Sequence, residues 1–408
     1  MSPVSSTPAA ESAARDRMSA LEWRAGGSLA SIFALRMLGL FLILPVFAEY
    51  ARTLPDGHDA QRVGLAMGIY GLMQAFLHIP LGALSDRIGR KPVMLFGLVC
   101  FIVGGIVAAM SDTLLGITIG RAIQGTGAIS AAITACLADL TREQHRTKVM
   151  AMVGGSIGLT FALSLVIASP LYQLMGMSGM FWLMAVLGAI AIAVVLFGVP
   201  TPPALSATDR TPFRVVLANP DLLRLNVGVL ALHAAQVAMF MVVPSMLTDA
   251  GIALTAHWKV YLPVVLVSFV LMVPPMIWAE RHGKVRQVLL AAVAMLLLAQ
   301  LLFAQVHAMW PIVGALLLFF FAFNILEAMQ PSLVTRFAQA SRGAALGVYN
   351  TTQALGMFVG GAVGGLLLKQ AGRPAVFYGC AAVLGLWLII AWNMKAPPSR
   401  RRPQPVSA

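Results

Sequence analysis

Three ionisable side chains, Arg36, Arg121 and Glu327, interrupt stretches of sequence that are otherwise almost wholly apolar. Each stretch runs about 20 residues, enough to cross a hydrocarbon layer of roughly 30 Å as a helix. At 1.5 Å per residue, Arg36 lies about 18 Å from Arg24, Arg121 about 13 Å from Asp112, and Glu327 about 13 Å from Arg336. All three therefore fall in the middle third of a bilayer. A charge facing lipid there costs at least a few kcal/mol, so such groups face an internal cavity or a partner. Glu327 is the one carboxylate placed that deep, with Asn324 one turn earlier on the same helical face. A carboxylate whose surroundings alternate between apolar burial and a nearby cation binds and releases a proton, which is what proton coupling requires. It could instead be a counter-ion for a substrate, or form a fixed salt bridge to the first or fourth stretch. Arg36 and Arg121 fit two roles: holding an anionic group beside that carboxylate, or locking helices together. His233 and His78 also lie inside apolar stretches. Imidazole in general shuttles protons near neutrality, and it serves equally as a hydrogen-bonded packing group. Met37, Phe41, Met239, Phe240 and Met241 flank this central zone and could line an adaptable apolar pocket.

A second set of charges sits between two apolar stretches, in "LGALSDRIGRKPVML". Gly82 lets two helices approach closely. Asp86 ends the second stretch, Gly89 permits a turn with positive φ, and Arg90 and Lys91 open the third. A carboxylate here meets either the positive N-terminus of a neighbouring helix or an arginine fork. The fourth stretch ends at Asp139 and the eleventh begins near Gly343, both on this face. Asp86 to the start of the eleventh stretch, and Arg90 to Asp139, are thus expected latches. The alternative is a solvated turn that only fixes topology. A worn copy of the loop returns 194 positions later: Pro80 matches Pro274, Asp86 matches Glu280, Arg87 matches Arg281, Gly89 matches Gly283, and Arg90 matches Lys284. Internal duplication of this kind marks transporters, whose substrate sites lie between the repeats near the midplane.

The elements that must position these groups follow from composition. Of the 408 residues, 59% are hydrophobic and 11% charged, where soluble domains carry about a quarter charged residues. Lipid must be part of the solvent. The apolar windows are 25–48, 62–84, 92–111, 114–138, 148–171, 178–199, 224–247, 257–279, 286–306, 310–335, 343–367 and 373–394. They lack the alternation of a membrane barrel, so an all-α membrane protein of twelve transmembrane helices in two six-helix bundles is expected. The expected divisions are an N-terminal tail 1–24, a first bundle 25–199, a linker 200–223, a second bundle 224–395 and a disordered tail 396–408. Within the linker, "FRVVLANP" suits a short amphipathic surface helix. The polar lead before the first window is too long for a secretory signal. Cys100, Cys136 and Cys380 lie in apolar runs without metal or disulfide spacing. The net charge of +13 comes mostly from Lys and Arg on one side of the windows. This is a topology signal that puts both termini in the cytoplasm, rather than a nucleic-acid footprint.

The pattern Gly-x-x-x-Asp-Arg-x-Gly-Arg-Lys, complete at Gly82, Asp86, Arg87, Gly89, Arg90 and Lys91, resembles the signature loop of the major facilitator superfamily. "RAIQGTGA", with Arg121, Gln124, Gly125 and Gly127, is similar to a second motif of that family. "ALRMLG", "ADLTREQHRTK" and "HWKVYL" extend the likeness to its twelve-helix drug:proton antiporter branch. The Gly-Pro motif of that branch is poorly kept, with Ser169 and Pro170 in its place. No further cytoplasmic domain is expected after the last window. The resemblance implies a secondary active transporter of the bacterial inner membrane. Such a protein exports a small organic solute or drug by alternating access, or alternatively imports or equilibrates a small metabolite. It implies no cofactor, a proton gradient as the energy source, and a monomer in the lipid bilayer whose partners are the solute and protons. Gln124 joins Glu327, Arg36, Arg121, His233 and Asn324 as a central candidate. An enzyme is not expected, because the deep polar groups include neither a HExxH pattern nor paired carboxylates.

Overall fold

The computed structural model describes residues 18–201, 213–338 and 342–395. Its helices are α1 (Ala20–Ala51), α2 (Ala60–Ile88), α3 (Arg90–Ala109), α4 (Leu114–Thr126), α5 (Ser130–Asp139), α6 (Glu143–Ala193), α7 (Phe213–Leu217), α8 (Pro220–Asp249), α9 (Trp258–Arg281), α10 (Val285–Phe303), α11 (Met309–Phe337) and α12 (Arg342–Trp392). A π-turn, Val194–Gly198, prolongs α6, and a 3-10 turn, Leu254–Ala256, precedes α9. The described residues contain no strand. Residues 1–17 of the expected N-terminal tail 1–24, residues 202–212 of the expected linker 200–223, and the whole expected tail 396–408 lie outside the described residues; residues 20–24 are the first turn of α1 and not tail. The short surface helix expected in the linker is α7.

Helix α1 begins before the apolar window that predicts it. Ser19 Oγ accepts from the Glu22 N–H at 3.2 Å, and Glu22 Oε2 accepts from the Ser19 N–H at 2.8 Å. This reciprocal cap satisfies two of the orphan donors of the first turn and starts the helix in polar sequence.

Nine helices among the described residues are long and apolar enough to cross a membrane. Two of them hold two passes each. The segment starting at α6 is tied at one end by Arg142 to Glu22 at 2.8 Å, and at the other by Arg24, which donates to Phe197 O at 2.7 Å and Gly198 O at 3.0 Å. Both ends thus lie on the face where α1 starts, and the chain reverses at Gly176 (φ 65°, ψ −177°). Helix α12 reverses in the same way at Gly372 (φ 77°, ψ −174°). A fourth window is split instead: α4 stops at Thr126, Gly127 takes ψ 49°, and α5 restarts at Ser130. A Cβ on Gly127 would stand 2.2 Å from Gly97 O, so α3 crosses where only glycine fits. The described helices are consistent with twelve crossings.

Backbone near φ +70° and ψ ±175° belongs almost to glycine alone, and a side chain there costs about 1–3 kcal/mol. Gly176→Ala and Gly372→Ala are each expected to lower the melting temperature of the detergent-solubilised protein. Gly314→Ala, whose Cβ meets nothing within 4 Å, should leave it unchanged or raise it. Equal melting of all three would contradict reversal at these glycines.

The two halves meet chiefly where α2 packs on α12, with smaller contacts of α6 on α9 and α1 on α8. We call the face holding both chain ends the terminal face and the other the distal face. The glycines of "GGAVGG" serve two partners at once. Gly361 and Gly365 lie on α2, while Gly360 and Gly364 lie on α8 against Ala234 and Ala238.

Candidate functional site

Glu327 projects from α11 with its side chain 31% exposed. Its Oε2 lies 3.5 Å from Nε2 of His233 on α8. The other ring nitrogen, Nδ1, donates to Val229 O at 3.0 Å, which leaves Nε2 of the neutral ring as an acceptor. The carboxylate therefore finds no donor on the neutral ring, and a proton shared with Nε2 has to displace the Gln353 amide that donates there. The terminal amide of Gln353, on α12, closes on the same Nε2 at 2.6 Å. Tyr349, one turn earlier on α12, lies within electrostatic reach of Glu327, and its hydroxyl has no partner among the described residues. Asn324 turns away from this group and donates to Ser268 Oγ on α9 at 2.9 Å. Glu327 is therefore paired inside the second half, and neither Arg36 nor Arg121 is bonded to it.

The first half has its own polar centre. Arg36 is 1% exposed and donates through Nη2 to the Tyr70 hydroxyl at 2.9 Å and through Nη1 to Ser130 Oγ at 3.3 Å. Gln74 Nε2 donates to the same Tyr70 hydroxyl at 2.8 Å. The break at Gly127 puts Ser130 at the mouth of a restarted helix, where its hydroxyl reaches α1. Arg121 is differently held. Its Nε and Nη2 donate to the α2 carbonyls of Ala66 at 2.7 Å and Met67 at 3.1 Å, and its guanidinium stands 5.8 Å from the Tyr70 ring centroid. Gln124 Nε2 points to Met184 Sδ at 3.6 Å. His78 is buried, and neither ring nitrogen has a partner among the described residues.

An aromatic layer joins the two centres. Phe161 on α6 packs against Phe41 on α1 at 5.0 Å, and against Phe320 and Phe323 on α11 at 6.1 and 5.9 Å. Phe323 also packs against the His233 ring at 6.0 Å. The layer sits on the distal side of Glu327, since α11 runs from the distal to the terminal face. Met239, Phe240 and Met241 are instead core residues of the second half.

On the terminal face, Arg90 is the hub of the charged loop. It donates to Asp139 at 3.0 Å, to Ser85 Oγ at 2.8 Å, and to Asp86. It thereby ties α2, α3 and α5 within the first half. Gly89 takes φ 99° and its counterpart Gly283 φ 67°, the same turn in both repeats. A Cβ on Gly82 would stand 3.2 Å from Ala131 Cβ, beside α5, while Arg87 and Arg281 are exposed and Lys91 is half-buried. In the second loop Lys284 does not repeat the role of Arg90. It stacks over Trp278 at 5.4 Å, while Glu280 pairs with Arg336 of α11. Beside that pair lies a cleft of about 370 Å³ lined by Met276, Arg281, Met329 and Ser332.

The distal face is closed by backbone contact. A Cβ on Gly64 would stand 2.1 Å from Gly361 O, one on Gly71 2.4 Å from Ala354 O, and one on Gly365 2.5 Å from Ala60 O. At its edge Lys369 of α12 donates to Asp59 at 2.8 Å, across the two halves. This bond holds the Asp59 carboxyl below the usual carboxylate range. A lowered carboxyl contributes to closure above its free pKa, and the contribution fades as pH falls through the lowered value. The pair is solvent-exposed, so its share is small. Asp59→Asn keeps an oxygen for the Gln61 N–H it caps. It should open the distal face no more than a few-fold and flatten its acid response, read as distances between spin labels on the distal loops at pH 3 to 7. An unchanged acid response would assign that response elsewhere.

A family profile described as Major Facilitator Superfamily matches residues 29–277 and 247–408, nearly the whole of the described fold. The chain belongs to the major facilitator superfamily. This major facilitator chain is 42% identical over 389 residues to the inner membrane transport protein YajR of Escherichia coli (strain K12), covering 94% of this chain and 86% of that one. It is 32% identical over 168 residues to the class B tetracycline resistance protein of Escherichia coli, 41% of this chain and 42% of that one. A solved bacterial homologue of the human lysosomal transporter Spinster, inward-facing and occupied, superposes with a TM-score of 0.72 at 12% identity, covering 95% of this chain and all of the other. That likeness carries the fold alone. The major facilitator chain is thus a multi-pass membrane transporter and not an enzyme.

Sequence reasoning missed Tyr70, Gln74, Ser130 and Gln353. Tyr70, Gln74 and His78 do carry a signal: spacing of four places them on one face of an apolar helix.

Proposed function

We propose that the protein exports a small organic solute in exchange for protons by alternating access between its two halves. The single observation that carries this reading is the partly exposed Glu327 carboxylate facing His233 Nε2 at 3.5 Å. Two bases sharing one proton make a carrier that loads and unloads as its surroundings change. Closure at the distal glycine seam, with the aromatic layer beneath it, supports a cycle in which the central site opens to one face at a time. Likeness over part of the chain to tetracycline resistance proteins supports a drug-like or other small organic solute. On this reading both termini are cytoplasmic, in an inner membrane, and the protein works as a monomer without a cofactor. Arg36 lines the central site, while Arg121, Gln124 and Asn324 hold the helices around it in place. Arg90, with Asp86 and Asp139, is a latch that holds the terminal face of the first half as one body. Gly82, Arg87, Gly89 and Lys91 complete that loop, and Glu280, Arg281, Gly283 and Lys284 are its second-half counterpart.

The test is a thermal-shift screen of the purified protein against diverse organic solutes at two pH values, followed by transport of the hits in proteoliposomes. Export predicts that a proton gradient drives the solute against the direction of proton flow. A gradient that drives solute only with the protons would make the protein an importer, and exchange indifferent to any gradient would make it a facilitator.

A further inference from the structure

We infer that the polar centre of the first half is a carboxylate-binding subsite, and that the solute is a small organic monoanion with an apolar, ring-sized body. This inference rests on the reading of the protein as a transporter with a central site, and adds the class of solute.

The observation is an uncompensated guanidinium. Arg36 carries five N–H donors and is 1% exposed. Its two bonds go to neutral hydroxyls, and Nε has no partner. Among the described residues no carboxylate pairs with it. Arg121 makes the contrast: backbone carbonyls fix it to α2, so it is a clamp between helices. Arg36 has no such clamp, and a buried cation without a counter-charge is a state that membrane proteins keep for a ligand.

The donors around Arg36 converge. The Tyr70 oxygen already accepts from Arg36 and from Gln74, so its own O–H proton is turned to a third direction. His78, one turn beyond Gln74 on α2, is 4% exposed, within electrostatic reach of Arg36, and unpartnered at both nitrogens among the described residues. Three helices, α1, α2 and α5, thus supply an arginine fork, a phenol, an imidazole and the Ser130 hydroxyl, with no acid among them. A planar fork with a spare Nε suits a carboxylate, which accepts two parallel N–H bonds. Arg121 is also buried without a carboxylate partner among the described residues and keeps an unpartnered Nη1, but two carbonyls hold its fork to α2; Arg36 is the fork left to receive one carboxylate.

The body of the solute follows from what lies next along α1. Phe41 is five residues beyond Arg36, about 7.5 Å along the helix, and it is half-buried in the aromatic layer with Phe161, Phe320 and Phe323. Five residues also turn the helix by about 140°, so the aromatic layer bounds the solute's body from the flank of α1 beside the one that carries Arg36.

The probe is benzoate, with benzamide as its uncharged isostere and benzylammonium as its charge-reversed counterpart. Equilibrium dialysis of radiolabelled benzoate against the full chain in detergent needs neither a gradient nor turnover, so its outcome is independent of whether protons drive the cycle. Saturable benzoate binding is expected, at least tenfold tighter than either analogue. Arg36→Gln should weaken it at least tenfold, and Arg36→Lys, which keeps the charge but loses the fork, by less. Tyr70→Phe removes one hydroxyl and nothing else; it should weaken benzoate about threefold and covers the case in which Arg36→Gln fails to fold. Absence of saturable benzoate binding, equal binding of benzamide, preference for benzylammonium, or wild-type benzoate affinity in the folded Arg36 or Tyr70 variants would overturn the inference.

Discussion

Glu327→Gln is expected to abolish proton movement linked to solute transport while solute exchange persists. The substitution keeps the shape of the side chain and its ability to hydrogen-bond His233, and removes one of two facing bases. His233 alone cannot reproduce a shared proton, because its Nδ1–H is engaged by Val229 O at 3.0 Å. In proteoliposomes carrying an internal pH dye, the proton signal on solute addition should fall to the protein-free background. Counterflow of labelled solute without a gradient should stay within a few-fold of wild type. The side chain is 31% exposed, so its neutralisation leaves no buried charge orphaned and should cost little stability. His233→Asn should weaken the proton signal less, since the partly exposed Glu327 carboxylate can still exchange a proton with water in the open site. A full proton signal from the Gln variant would remove Glu327 from the carrier role and return it to a structural pair with His233.

Gly64→Leu should have the second large effect, on the population of the distally closed state. The new Cβ would stand 2.1 Å from the Gly361 carbonyl oxygen and 2.9 Å from the Gly365 Cα. Both are backbone, so no rotamer change relieves the overlap. Overpacking of this kind costs about 1–3 kcal/mol, which shifts a two-state equilibrium by roughly 5- to 150-fold. Spin labels on the distal loops should report a longer mean separation, and transport should slow because the closed state is a step in the cycle. Gly154→Leu, on a residue with nothing within 4 Å, is the control and should leave the distances alone. Unchanged distal distances in Gly64→Leu would mean that the seam does not close tightly during the cycle.

What the sequence discloses and what it hides divide along physical lines. Apolar windows are legible because the bilayer sets their length. The paired loops are legible because Gly89 and Gly283 both need positive φ and their charges lie close in sequence. The place where the fourth window splits is hidden, because Gly127 breaks a helix through its contact with Gly97 rather than through local propensity. The fixing of Arg121 is hidden for another reason: its acceptors are the carbonyls of Ala66 and Met67, and a carbonyl leaves no mark on residue type. Pairing of Glu327 with His233 joins α11 to α8 across 94 positions, a distance only the tertiary fold closes. Both residues were singled out, but their contact was not. Asn324 shares a face with Glu327 in sequence, yet it turns to Ser268 because the helix presents that edge to α9.

The α2–α12 seam has a thermodynamic consequence. Its contacts are mostly main chain on glycine, so parting the halves frees few torsions that closing had frozen. Conformational exchange there should carry a small entropy term and respond only weakly to temperature, unlike a gate sealed by long flexible side chains.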